Sequence, residues 1–254
     1  MATYKKRGGK PRTKAEKDLN IEEGSTTAEV FKSLDEGASK TEAWVEKNQK
    51  YILSVIGVVA ICVLGYLAFQ EFIQKPKEIE AANEMYQAQT YFEEALTATA
   101  KDSLFTLSLN GGEGKYGFLD IIDKFGGTDA ANLSKYYAGM AYLNTNNYKD
   151  AINYLDGFKS DDAMLGPLAK GAIGDAFVQL GQEDKALSYY ETAVSMSAND
   201  FTTPRFLLKA GITALNLQKP DKAIKHFTEI TIKYPNAAEA AKATANIGRA
   251  EAMK

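Results

Sequence analysis

One histidine, one cysteine and a pair of adjacent aspartates are the residues with which this 254-residue chain could do chemistry, and their surroundings do little for it. His226 precedes Phe227 on a helical pattern, at a packing position, and a lone imidazole there has no serine and aspartate arranged around it to act as a general base. Cys62 lies inside an apolar run; a single cysteine excludes an intrachain disulfide, and no His- or Cys-rich set has the spacing of a zinc site. Asp161 and Asp162 read as a solvated loop that opens the next helix. The glycines of NGGEGKYG, residues 110–117, lack the Gly-Lys-Ser/Thr ending of a phosphate loop and read as a turn. These residues point away from an enzyme and call for no cofactor or metal.

Side-chain amides offer a different chemistry. Asn144, Gln179 and Asn216 recur at intervals of 35 and 37 residues. Such a row can both donate to and accept from an extended peptide backbone. The alternative is that each amide merely finishes the helix it sits on.

The recurrence has a frame. Gly139, Gly174, Gly211 and Gly248 are separated by 35, 37 and 37 residues, and Ala151, Ala186 and Ala223 each follow their glycine by 12. Large groups sit three after Gly (Tyr142, Phe177) and four after Ala (Leu155, Tyr190, Phe227). Turn signals fall between, at NTNN, LGQED and LQKPD. Apolar residues from about 118 onward recur at helical spacing, with no alternating strand pattern. A glycine inside a helix costs about 1 kcal/mol relative to alanine, so its recurrence implies helices in close contact, with Gly139, Ala151, Gly174, Ala186, Gly211 and Ala223 at the crossings.

GMAY with AINYL, GDAF with ALSYY, and GITA with AIKHF resemble the tetratricopeptide repeat, a 34-residue helix–turn–helix unit. The expected tryptophan is absent, Ala214 replaces an aromatic, and the spacing is one to three residues long. The resemblance implies a solenoid in which the first helix of each unit lines a concave, protein-binding surface. Carried over, the groove comprises Tyr136, Met140, Leu143, Asn144, Asp175, Val178, Gln179, Arg205, Leu208, Ile212, Leu215 and Asn216. The Lys/Asn clamp that some members use for a C-terminal carboxylate does not match, because Tyr136 and Met140 hold its places. Three units and a C-terminal capping helix account for residues 128–254. Residues 76–127 read as a degenerate first hairpin, its helices around Ala88–Tyr91 and Phe118–Phe125, with a loop at 100–114 inserted between them.

The chain's other half has a separate logic. Tyr51 to Gln70 are 20 uncharged residues, which as a helix span roughly 30 Å, a bilayer's hydrocarbon core. Trp44, Tyr51 and Tyr66 stand near its ends, where amphipathic rings favour headgroups. Residues 51–73 therefore read as a membrane anchor that is retained, since no small-x-small cleavage site follows. Eleven Lys/Arg precede the span and only Lys75 and Lys77 follow closely, which places the N-terminus in the cytoplasm. Residues from 76 onward carry 18 basic and 23 acidic groups, a net of −5, against −3 for the whole chain. Residues 26–50 read as an amphipathic juxtamembrane helix. Residues 1–25 read as a disordered basic tail, and Lys5, Lys6, Arg7, Lys10 and Arg12 suit three roles: topogenic charge, anionic lipid, or ribosomal RNA.

The expected architecture is thus all-α, a single N-terminal transmembrane helix followed by a tetratricopeptide α-solenoid. This layout resembles the YfgM-like family of ancillary Sec translocon subunits. That resemblance implies a single-pass inner-membrane protein with its repeat domain in the periplasm. Its implied partners are the SecYEG channel, a periplasmic chaperone or prolyl isomerase, and exported polypeptides. GFLDIIDKFGGTDAANLSKYYAGMAYL is similar to tetratricopeptide proteins of Bacteroidota. The competing expectation is a structural subunit of another envelope assembly or secretion complex. Cys62, lying mid-span, does not fit the lipidated cysteine of outer-membrane members.

Overall fold

A computed structural model describes residues 26–254; the basic tail lies outside them. They divide into two compact units, one ending at Phe69 and the other running Gln70–Lys254.

The first unit is a single helix, α1 (Thr26–Phe69). The juxtamembrane and membrane segments expected on either side of residue 50 form one uninterrupted element, and Gly37 does not break it. Its apolar stretch is long and apolar enough to cross a membrane, and none of that stretch is buried. Leu53, Ile61 and Leu64 are among its exposed side chains.

The second unit opens with a π-helical turn (Gln70–Gln74) and contains α2 (Lys75–Thr97), α3 (Lys101–Asn110), α4 (Phe118–Lys124), α5 (Asp129–Asn144), α6 (Tyr148–Asp156), α7 (Leu165–Gln179), α8 (Glu183–Met196), α9 (Thr202–Asn216), α10 (Pro220–Lys233) and α11 (Ala240–Glu251). No strand occurs among the described residues.

The expected loop at 100–114 is mostly helix. Phe105, Ser108 and Leu109 recur at i, i+3, i+4 and are buried against α2, a spacing that the following glycines obscure in the sequence. The partner that α2 packs along is accordingly α3, and α4 packs mainly on α5. Only Gly111–Gly114 form the tight turn, with Gly111, Glu113 and Gly114 at positive φ. Phe92, Phe105, Phe118 and Tyr137 build an aromatic core, Phe92 meeting the other three edge-on and Phe118 stacking on Tyr137 at 5.1 Å.

The start of α2 is fastened to the start of α5. Glu78 accepts hydrogen bonds from the backbone N–H of Asp129 (2.8 Å) and Ala130 (2.9 Å). Gln74 and Lys77 donate to the carbonyls of Gly127 and Gly126. A carboxylate at a helix N-terminus meets both the free donors and the positive end of the dipole.

From α5 onward the helices pair as α5/α6, α7/α8 and α9/α10, and α11 packs on α10. Each pair turns in the same way. Asn146, Gly181 and Gln218, seven residues after the repeat glycine, adopt φ of 62°, 68° and 58°. The next N–H reaches back five residues to the carbonyls of Tyr142, Phe177 and Ala214 (2.8–2.9 Å). This closes the helix end with the left-handed residue that such a cap requires.

Candidate functional site: the inner wall of the helical array

The wall is held together by glycine sockets. A methyl group on Gly139 would overlap Leu155 Cγ, and one on Gly211 would overlap the Phe227 ring. On Gly174 it would fall 2.5 Å from Tyr190 Cε1. In all three units the side chain 16 residues on, from the second helix, fills the place of the missing Cβ. Ala151, Ala186 and Ala223 lie at 0% exposure in the same seams. Gly171 is a further socket, occupied by Phe206 of the next unit. It escaped the sequence reading because its counterpart in the first unit is the large Tyr136. Gly248 faces open space.

Between these packed units lies an open pocket of about 470 Å³. Leu143, Asp175, Val178 and Gln179, all expected on the groove, line it together with Asn146, Tyr148, Tyr190 and Lys209. Its charged element is a three-helix joint. Asp175 on α7 accepts the Tyr190 hydroxyl of α8 at 2.6 Å and receives Lys209 of α9 at 2.6 Å on each oxygen. Burial, with the Asp175 carboxylate beside it, pushes the Tyr190 phenol far above its ordinary pKa, so it remains a donor. The Lys209 ammonium also lies over the Tyr190 and Phe206 rings, 5.8 and 6.0 Å from their centroids. Lys209 stands 34 residues after Asp175. That one-repeat separation of opposite charges is the sequence signal that could have revealed it.

The three amides do not act alike. Asn144 donates to the Met140 carbonyl of its own helix at 2.8 Å, and Asn216 donates to Glu183 at 3.2 Å. Gln179 is exposed on the pocket wall and its amide has no hydrogen-bond partner among the described residues. The amide row is therefore reduced to one available member.

Two expected groove residues are corrected. Leu208 and Leu215 are 9% and 1% exposed and belong to the core that runs through the last three units. In a stacked array the first helix is covered on both flanks, so fewer of its faces stay free than in a single helical pair. Tyr136 and Met140 are half-buried against that core. Arg205 and Ile212 are exposed, and the Arg205 guanidinium lies over the Phe206 ring.

The titratable residues have structural surroundings. His226 is 8% exposed and its Nε2 lies 3.0 Å from Glu191, which also holds Lys222 at 2.9 Å. Burial lowers the His226 pKa, and Glu191 offsets this only in part. Burial raises that of Glu191, but Lys222 and His226 outweigh it and the net shift is downward. Asp162 accepts the N–H groups of Leu165 and Met164 at 2.8 Å each, and these bonds lower its pKa. No cluster of three or more His, Cys, Asp or Glu that could hold a metal occurs among the described residues.

Against known families, residues 169–200 and 206–237 each match a model of the tetratricopeptide repeat. Both stretches are tetratricopeptide repeats. They cover α7–α8 and α9–α10, the two pairs joined by Asp175 and Lys209. No curated protein matches the chain. Tetratricopeptide repeats are protein–protein interaction scaffolds, and such arrays in general present an extended concave surface.

Proposed function

We propose that this protein is a membrane-anchored, non-enzymatic tetratricopeptide scaffold that holds polypeptide segments against its inner wall, as an accessory subunit of the Sec translocon. The observation that carries the binding role is the 470 Å³ pocket, in which the free Gln179 amide stands beside apolar Leu143 and Val178. This combination suits an extended chain: the amide serves its backbone, and the apolar wall serves its side chains. The anchor is supported by the unburied apolar stretch of α1, because so much exposed hydrocarbon is unfavourable in water at about 25 cal/mol per Å².

The assignment to the inner membrane, with the repeat domain in the periplasm, rests on the Lys/Arg excess before the span. The translocon role rests on the resemblance in layout to YfgM-like subunits. SecYEG, exported chains and a periplasmic chaperone or prolyl isomerase are the partners this predicts. Photoreactive groups at Leu143 and Gln179, illuminated in intact cells, should crosslink to Sec subunits or exported chains. Crosslinks confined to components of another envelope complex would replace this reading with that of a structural subunit there.

A further inference from the structure

The end of the π-helical turn and the start of α2 hold one segment of backbone. Gln74, Lys77 and Glu78 stand at i, i+3 and i+4, on one side of the helix. Gln74 donates to the Gly127 carbonyl at 3.0 Å and Lys77 to the Gly126 carbonyl at 2.8 Å. Glu78 accepts from the N–H groups of Asp129 and Ala130. Four hydrogen bonds thus fix the turn before α5 to residues 74–78, although 49 to 53 residues of chain separate the partners.

Those three side chains directly follow the apolar run, and the next step rests on the anchor proposed above. Gln74 lies four residues beyond Gln70, where the uncharged run ends, and one beyond Ile73, where the expected span ends. Helical rise carries it at most about 6 Å past the hydrocarbon boundary, and a headgroup layer is roughly 5–7 Å deep. Tilting the span only brings it nearer. The backbone that Gln74 and Lys77 hold is therefore kept at headgroup level, and it is bonded at too many points to swing away.

The chemistry of the turn suits that layer. Gly126 and Gly127 are exposed, and without side chains they let a headgroup approach the backbone closely. Phe125 and Thr128 beside them are buried, which gives the turn a fixed shape. Lys124, Asp123 and Asp129 flank it and are exposed. Charges of both signs complement a headgroup that carries a phosphate and an ammonium together, whereas a surface for anionic lipid is a cluster of Lys and Arg. We infer that residues 123–129 form a foot that rests on zwitterionic phospholipid headgroups and seats the start of the repeat domain on the bilayer.

The test uses the full chain with Cys62→Ser, reconstituted into vesicles of zwitterionic phospholipid. A fluorophore is attached to a single cysteine at Lys124 or Gly126, or at Lys149, beyond the opposite end of α5. A methyl on Gly126 meets only the Ile122 carbonyl, at 3.5 Å, so the turn tolerates the substitution. Lipid with a spin label on its headgroup should quench Lys124→Cys and Gly126→Cys several-fold more than Lys149→Cys. Equal quenching at all three, or none at any, would overturn the foot. Adding anionic phospholipid should leave the quenching unchanged; a several-fold rise would overturn the zwitterionic assignment. Carbonate extraction of the same vesicles separates this inference from the anchor beneath it. Release of the chain refutes the anchor, whereas an embedded chain with an unquenched turn refutes the foot alone.

Discussion

The glycine sockets make a prediction with its own control. Gly139→Ala must displace Leu155, including a backbone nitrogen 3.1 Å from the new methyl, and should destabilise the chain by about 1–3 kcal/mol. Gly248→Ala meets nothing within 4 Å and should stabilise by up to about 1 kcal/mol through helix propensity alone. Denaturant titration of both variants checks the pair, and equal effects would refute the socket account. His226 makes a second prediction. Its folded pKa lies below the unfolded value of about 6.5, so the unfolded chain binds a proton that the folded chain refuses. Stability should therefore fall as pH drops through 6.5. Glu191, also lowered, acts in the same direction at still lower pH, below the ordinary carboxylate range. Denaturation at pH 7.5 and 5.5 should show the loss, and His226→Gln should remove its upper part.

Among the elements, the Glu78 bridge ties the starts of two helices through one side chain. Glu78→Ala leaves the first N–H groups of α5 without their carboxylate and should cost about 0.5–2 kcal/mol. Glu78→Gln should recover part of this, since an amide oxygen still accepts while the charge–dipole attraction is lost. Thermal unfolding of the two variants reads the difference. The paired helices and their turns were legible in the sequence because glycine, alanine and turn residues recur at nearly fixed spacing. Helix α3 was hidden because NGGEG marks a turn so strongly that the helical spacing just before it went unread. Leu208 and Leu215 show a different limit: helical periodicity identifies an apolar face, but not whether a neighbouring unit or a groove meets it. Asn144 and Asn216 look equivalent to Gln179 in sequence, and only their partners distinguish them. The left-handed Gln218 had no signal, since glutamine does not favour that conformation.

For the whole molecule, the proposed anchor has a probe built in. Cys62 is the only cysteine and lies in the middle of the apolar run. In intact membranes it should resist a charged maleimide and react after unfolding in SDS. Prompt labelling of sealed vesicles would place that run in water and remove the membrane reading. The charge asymmetry on which the proposed orientation rests was legible without any structure, being a property of composition. What the pocket selects was not, because it depends on the joint assembled by Asp175, Tyr190 and Lys209 from three separate helices.

That joint belongs to an uneven distribution of polar ties along the array. Between the last two pairs, Asp175–Lys209 is accompanied by Asn216–Glu183, Lys219–Asp184 and the Glu191 contacts to Lys222 and His226. Between the first two, the polar tie among the described residues is Lys170–Asp156. The seam between the last two pairs is thus the more heavily charged of the two. Added salt, which screens exposed ion pairs, should therefore weaken that seam more than the one before it.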